Sequence, residues 1–299
     1  MCVDWCIREE GVDEKKIEFL GNKMCIGNGY FGYRGTLEEY GKDQLAACTV
    51  SEIFDDNGNG WRESVNVPNG LYTWAEYAGE KLTVLDAQAE SHVQELYIDT
   101  GTHRRETVFA AGDGSRIKVE SERFASLSDL HMLVMRYQVS ADRDLELRVC
   151  TGIDDDIWNI NGNHFAEAEI QEKDGVDGIV CRTIQDGRSV AVAAKICITA
   201  GASVTDKKQD VTVIHASLKK DVPFVMEKYT AICKETDCQD VWESAVCCCM
   251  ESAERGFEFL KEEQRRLWGE RYRRLGIELS PCAYRPGGNP GERAVRPGI

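Results

Sequence analysis

The chain has 299 residues and a formal net charge of −16 at pH 7, and charged residues make up 29% of it. This length accommodates one large all-β domain or two ordinary domains. The negative charge would repel nucleic acid, and no run approaches the roughly 20 apolar residues of a membrane span. The amino terminus has early acidic residues and no apolar signal-peptide segment, so we expect a cytoplasmic protein.

From about residue 16 to residue 214, short β-branched or aromatic runs alternate with turn residues. Such runs include SRIKVESERFAS, HMLVMRYQVSA and SVAVAAKICIT, and KLTVLDAQAE also has the composition of a strand. This pattern is typical of an antiparallel sandwich, because so many strands need two packed sheets. The sequence therefore predicts a mainly β fold, with a large antiparallel β-sandwich domain over residues 1–229.

Near the amino terminus, the string GNGYFG at residues 27–32 matches the G-x-G-x-x-G pattern of dinucleotide-binding proteins. That chemistry requires a strand before the string, a helix after it and a parallel βαβ unit. Gly35 and Gly41 interrupt the expected helix, and the neighbouring segments have antiparallel patterns. We therefore do not expect dinucleotide binding.

A second partial motif follows at Asp55, Asn57, Asn59 and Gly60, which reproduce the first half of a calcium-binding loop. The twelfth position of that loop would be Asn66, where a bidentate glutamate is required. We favour a polar hairpin tip.

The densest polar and aromatic patch begins with the three aspartates of residues 154–156 and continues to His164. Carboxylates beside a stacking ring serve in sugar binding and in glycoside cleavage. Acidic residues also favour turns, and neighbouring strand residues point to opposite faces, so the pattern favours a strand end over an active site. Asp154, Trp158 and His164 are retained as candidate carbohydrate contacts.

The thirteen cysteines are odd in number and scattered, which predicts reduced thiols. Cys247, Cys248 and Cys249 are consecutive, and successive helical residues point about 100° apart, so the three cannot all chelate one ion. The histidines show no pairing at metal-ligand spacing. The sequence thus predicts no metal site, no cofactor and no catalytic residue.

The pattern changes near Asp221. From Asp240 onward, apolar residues recur at three- and four-residue steps, which predicts one or two linked helices with Gly256 and Gly269 at bends or a break. We expect a helical linker over residues 230–276, with an apolar stripe left uncovered that would drive association. Residues 277–299 hold four of the six prolines and are predicted to be an irregular tail.

Several segments together resemble one family. Residues 27–39, GNGYFGYRGTLEE, are similar to the GNGYxGxRGxxEE signature of glycoside hydrolase family 65, the group of maltose, trehalose, kojibiose and nigerose phosphorylases. Further matches follow in the same order at residues 67–69, 99–105, 122–126 with Asp129 and His131, and 152–164. The resemblance runs from residue 5 to about residue 275.

The resemblance implies an amino-terminal β-sandwich, a helical linker, an (α/α)6 catalytic barrel and a small carboxy-terminal β-domain. It implies inverting phosphorolysis of an α-linked glucose disaccharide, with inorganic phosphate as co-substrate and a barrel glutamate as general acid, although a few members hydrolyse their substrate. We expect this chain to hold only the first two parts, with residues 277–299 as a truncated start of the barrel. We therefore expect the chain alone to be inactive.

For the full-length enzyme we expect a homodimer. The alternative hypothesis is a self-standing carbohydrate-binding or scaffold protein.

Overall fold

The computed structural model describes residues 5–56, 58, 60–86, 89–200, 204–208 and 211–276. The predicted irregular tail, residues 277–299, lies outside the described residues. Strands dominate the described part of the chain, which confirms the predicted mainly β fold. The strands are β1 (Cys6–Glu10), β2 (Ile26–Gly27), β3 (Phe31–Tyr33), β4 (Cys48–Asp55), β5 (Glu63–Val67), β6 (Thr73–Tyr77), β7 (Glu80–Leu82), β8 (Ala89–Tyr97), β9 (Thr102–Ala110), β10 (Arg116–Ala125), β11 (Met132–Ala141), β12 (Leu145–Gly152), β13 (Phe165–Lys173), β14 (Val176–Thr183), β15 (Ser189–Ala200), β16 (Val204–Lys208), β17 (Val211–Leu218) and β18 (Phe224–Lys234).

The strands form three antiparallel sheets. The largest has the order β1-β8-β9-β10-β11-β18-β15-β14-β13, the second β16-β17-β12-β6-β7, and the smallest β2-β3-β4-β5. The run KLTVLDAQAE does not form one strand, since β7 ends at Leu82 and β8 begins at Ala89.

A continuous apolar core lies between the large sheet and the two smaller ones. Because side chains alternate along a strand, β11 contributes to both faces of the large sheet. Leu133 and Met135 belong to the core between the sheets, whereas Met132 and Val134 pack on the opposite face. The large sheet is therefore covered on both sides.

Two helices cover the outer face of the large sheet. They are α2 (Val241–Arg255) and α3 (Phe257–Leu275), and a short helix, α1 (Ile17–Lys23), precedes β2. The predicted break occurs at Gly256, whose φ of 78° lies in the region that favours glycine, but Gly269 lies within α3. None of the helices in the described residues is long and apolar enough to span a membrane.

The apolar stripe of these helices is buried, which corrects the expectation that it is uncovered. Val241, Ala245, Cys249, Phe257 and Leu260 pack in one cluster with the outer residues of β11, β15 and β18. The large sheet covers these apolar side chains, so they give no reason to expect the chain to associate.

The boundary predicted between residues 229 and 230 falls inside β18. This strand lies near the middle of the large sheet and continues to Lys234, so the change to helix occurs between Lys234 and Val241. The strand has no simple alternation of apolar and polar residues because both of its faces are buried. Its polar members are paired internally, as when Glu227 accepts hydrogen bonds from Arg136 (2.8 Å) and Tyr229 (2.5 Å).

Candidate functional site

The glycine-rich segment forms an antiparallel hairpin and no nucleotide-binding turn. Residues 27–32 connect β2 with β3, and β3 pairs with β4. The parallel βαβ unit required for dinucleotide binding is therefore not formed by this segment, as predicted.

Asn28 fixes this hairpin to the loop between β10 and β11. Its side-chain amide donates to the carbonyls of Ser126 (2.8 Å) and Leu130 (2.9 Å), while its Oδ1 accepts from the backbone N–H groups of Tyr30 and Phe31. One buried amide thus fixes both the hairpin turn and the loop that faces it.

The two acidic residues at the end of the signature enter a buried ion network. Glu38 accepts hydrogen bonds from Arg123 (2.8 Å), Ser121 (2.6 Å) and Arg105 (3.2 Å). Glu39 pairs with Arg105 through two bonds of 2.6 and 3.0 Å. The side chains of these ion pairs are almost fully buried.

The electrostatics of this network indicate a structural role. Burial alone would raise the pKa of Glu38, but Arg123 and Arg105 hold that pKa at about 2, so the carboxyl stays charged. Burial raises the pKa of Glu39. Both carboxylates are already occupied by guanidinium groups and are closed to solvent, so neither is placed to protonate or attack a substrate.

A different cluster, which is partly accessible, surrounds His131 in the β10–β11 loop. The His131 Nδ1 lies 3.1 Å from Asp129 Oδ1, and its Nε2 lies 3.6 Å from Asp237 Oδ2. Asp237 also accepts a 2.6 Å hydrogen bond from the Tyr30 hydroxyl, and the Tyr30 ring contacts the imidazole edge to face at 4.7 Å.

Cys248 of α2 completes this cluster. Its ligand atom and those of Asp129 and His131 lie within 4.8 Å of one another. The hydrogen bond with Cys233 lowers the pKa of Cys248, and the hydrogen bond with Asp129 raises the pKa of His131. These residues were missed as a group in the sequence because α2 and the β10–β11 loop are far apart in the chain, although the resemblance included Asp129 and His131.

The three candidate carbohydrate contacts, Asp154, Trp158 and His164, have different surroundings in the structure. Asp154 is half-buried, its backbone exchanges hydrogen bonds with Asn69, and its Oδ1 accepts from the backbone of Asp156. Burial raises the pKa of Asp154. The backbone carbonyl of Trp158 accepts a hydrogen bond from the side chain of Asn66.

His164 is not available for sugar contact in this structure. It is fully buried, and its two ring nitrogens contact Asp55 (3.1 Å) and Glu63 (2.5 Å). Asp55 also accepts from the backbone N–H groups of residues 185 and 186. The imidazole therefore joins β4 and β5 to the segment after β12 as an internal support.

The same contacts show how Asp55 of the partial calcium motif is used. β4 and β5 form an antiparallel hairpin, as predicted, and the Asp55 carboxylate is directed to His164 and the backbone. Asn57 and Asn59 lie outside the described residues.

A further buried ionisable group, Lys228, lies between the sheets. Lys228 of β18 donates to the carbonyl of Gly152 (2.7 Å), to Thr151 Oγ1 (2.9 Å) and to the carbonyl of Tyr72 (3.3 Å). Its acceptors are neutral, and burial lowers the pKa of Lys228 to about 7.

Described as a whole, the chain is an antiparallel sandwich whose buried carboxylates serve as internal ion-pair partners. These ion pairs connect separate strands and loops, so the residues that the structure describes define an antiparallel β-sandwich domain.

The comparisons place this domain in a family. Residues 7–271 match the model of the glycosyl hydrolase family 65 N-terminal domain. The chain therefore belongs to glycosyl hydrolase family 65, and residues 7–271 form its N-terminal domain.

The relatives are disaccharide and glucoside phosphorylases. The chain is 31% identical to nigerose phosphorylase of Lachnoclostridium phytofermentans over 294 residues, which cover 89% of this chain and 39% of that protein. It is 31% identical to 1,2-alpha-glucosylglycerol phosphorylase of Bacillus selenitireducens over 76% of this chain and 30% of the relative.

A solved structure from the human microbiome, assigned to kojibiose phosphorylase, superposes with a TM-score of 0.79 at 14% identity and covers 89% of this chain and 38% of that one. That match supports the fold. The chain spans about two fifths of the length of the nigerose phosphorylase relative.

Proposed function

We propose that this chain is the N-terminal, non-catalytic domain of an inverting phosphorylase that acts on an α-linked glucose disaccharide. The observation that carries the proposal is the family match over residues 7–271 together with the 31% identity to nigerose phosphorylase. The co-substrate would be inorganic phosphate, and the partner of this domain would be a catalytic barrel. The enzyme would be a cytoplasmic homodimer.

The occupied carboxylates support a non-catalytic role. Glycosidic bond cleavage with inversion needs an acid beside the leaving oxygen, with the nucleophile on the opposite face of the sugar. Glu38 and Glu39 are closed off by Arg105 and Arg123, and Glu63 contacts the buried His164.

An activity assay tests this assignment. The purified chain is incubated with phosphate and nigerose, kojibiose or maltose, and glucose 1-phosphate is measured, with the Lachnoclostridium nigerose phosphorylase as a positive control. We expect no glucose 1-phosphate from the chain alone. Measurable turnover would show that the reaction takes place within these residues.

The genomic context provides an independent test. Sequencing the DNA downstream of the codon for Ile299, in all reading frames, should reveal a segment similar to the remaining three fifths of the relatives. If no such segment exists and no partner protein supplies one, the phosphorylase assignment fails.

A self-standing carbohydrate-binding role is the second candidate, and one local observation favours it. The rings of the partly exposed Tyr72 and Trp74 lie 4.8 Å apart, and the Lys81 ammonium lies over both. Burial raises the pKa of Tyr72, and the negative charge of Asp154 raises it further. Aromatic faces beside polar groups suit a sugar ring.

Calorimetric titration with maltose, kojibiose and nigerose tests this second role. Saturable binding that is lost in Trp74→Ala or Trp158→Ala, and kept in a Trp61→Ala control at a residue that is 63% exposed, would support it. The absence of saturable binding would remove it.

A further inference from the structure

Three side chains of different chemical types converge where the β10–β11 loop meets α2. Asp129 contributes a carboxylate oxygen, His131 a ring nitrogen and Cys248 a sulfur, and these atoms lie within 4.8 Å of one another. Thiolate, imidazole and carboxylate are the three side-chain ligand types of protein zinc sites. We propose that Asp129, His131 and Cys248 form a binding site for a zinc-like divalent cation.

The spacing is close to what such an ion requires. Zinc–ligand distances of about 2.0–2.3 Å in a tetrahedron place neighbouring ligand atoms about 3.3–3.8 Å apart. A movement of about 1 Å would therefore draw the three atoms into coordination. The site is also reachable, since the side chains of His131 and Asp129 are 30% and 26% exposed.

The imidazole is oriented as in a metal site. Its Nδ1 lies 3.1 Å from the proposed ligand Asp129 and would bind the ion, while its Nε2 faces the Asp237 carboxylate at 3.6 Å. A metal-bound histidine usually directs its other nitrogen to a carboxylate, which fixes the tautomer and the ring orientation. Asp237 is held in turn by the 2.6 Å hydrogen bond from the Tyr30 hydroxyl.

The backbone around the site is fixed before any ion binds. The Asp129 N–H donates to Ser126 Oγ (3.2 Å), the His131 N–H donates to Asp129 Oδ1 (3.0 Å), and the Ile232 N–H donates to the His131 carbonyl (2.9 Å). These bonds attach the loop to β18, and Cys248 lies within α2, which packs on the same sheet. A site held by three packed elements loses little entropy on binding.

Cys233 of β18 supports the site as a neighbour. Its thiol hydrogen-bonds Cys248, so it would stabilise the bound thiolate, and water would complete the coordination. The sequence alone does not reveal this arrangement, because Cys248 is next to two other cysteines that point elsewhere: Cys247 is exposed, and Cys249 is buried against the sheet.

Cobalt titration tests the proposal with the complete 299-residue chain, reduced and stripped of metal by a chelator. Co²⁺ should produce a thiolate-to-cobalt charge-transfer band that saturates at one ion per chain, and Zn²⁺ should displace it. Cys248→Ala should abolish the band, whereas the matched control Cys247→Ala should retain it. Cys233→Ala should weaken affinity by about 10-fold to 100-fold, as supporting contacts do.

Two more measurements guard against variants that fail to fold. The far-ultraviolet circular dichroism of each variant is compared with the wild type, and Cys248→Ser replaces Cys248→Ala if the latter unfolds. In the wild type, Zn²⁺ should slow alkylation of Cys248, measured by mass spectrometry, more than alkylation of Cys247.

A histidine pair provides the second matched comparison. His131→Gln should weaken cobalt binding by at least about tenfold, while His215→Gln, on β17, should leave it unchanged. No charge-transfer band in the wild-type chain, or a band that survives in a folded Cys248 variant, would overturn the proposal. In that event Asp129 and His131 form only an ion pair.

Discussion

Replacing Lys228 with methionine should change how the stability of the domain depends on pH. Lys228 lies fully buried between the sheets, its three acceptors are neutral, and burial lowers its pKa from 10.5 to about 7. Between these two values the unfolded chain binds a proton at this site and the folded chain does not. Folding stability therefore rises with pH across this window.

The magnitude follows from the width of the window. A difference of one pH unit between the folded and unfolded pKa corresponds to about 1.4 kcal/mol, so the interval from about 7 to 10.5 corresponds to about 5 kcal/mol. Lys228→Met removes the titrating group, and the stability of the variant should lose this part of the pH dependence. The free energy of unfolding of the wild type relative to the variant should rise by about 1 kcal/mol per pH unit above pH 7.

Urea denaturation followed by tryptophan fluorescence, at several pH values between about 7 and 9, measures this difference. Other groups that titrate there, including the buried thiols, are common to both proteins and cancel in the comparison. Lys220→Met, at an exposed position, is the control and should keep the wild-type slope. Parallel pH profiles for the wild type and Lys228→Met would refute the assignment of a neutral buried amine.

Three further substitutions test the signature and the helical cover, each by urea or thermal denaturation. Glu38→Gln should cost about 3–5 kcal/mol because the buried Arg123 guanidinium loses its charged partner and Arg105 keeps only Glu39, and an unchanged midpoint would contradict the network. Gly35→Ala should cost at least about 1–3 kcal/mol, since its Cβ would lie 2.3 Å from the Met24 Cβ and 2.5 Å from the Met24 backbone, while Gly112→Ala, with nothing within 4 Å, should be nearly neutral. Asp240→Ala should lower stability by about 1 kcal/mol, because its carboxylate accepts two N–H groups at the start of α2, and no loss would show that this cap is dispensable.

The sequence predicted the architecture well where the local pattern matched the burial. Strands such as β10 and β11 were recognisable from β-branched runs bounded by turns, and the helix around Ala245 from its apolar spacing. β18 was misplaced at its end, because a strand buried on both faces resembles a buried helix segment in composition. Lys234 belongs to β18 because it pairs with Val190 of β15 and its ammonium contacts Ser51 and Glu52, which are distant in the sequence.

The candidate sites were less predictable for a geometric reason. The pairing of His164 with Asp55 and Glu63 and the convergence of Cys248 on His131 join residues that are far apart in the sequence. Local spacing contains no information about such contacts. Residues 154–164 are rich in polar and aromatic side chains, which suggested a binding site, but His164 is buried and acts as an internal support.

The position of β18 also has a consequence for how the domain is made. This strand lies between β11 and β15 in the large sheet, yet it is the last strand within the described residues. On the ribosome, β11 would wait for some eighty residues of synthesis, at roughly 5–20 residues per second, before its neighbour emerged. During those seconds the unpaired edge of β11 would be open to pairing with other chains.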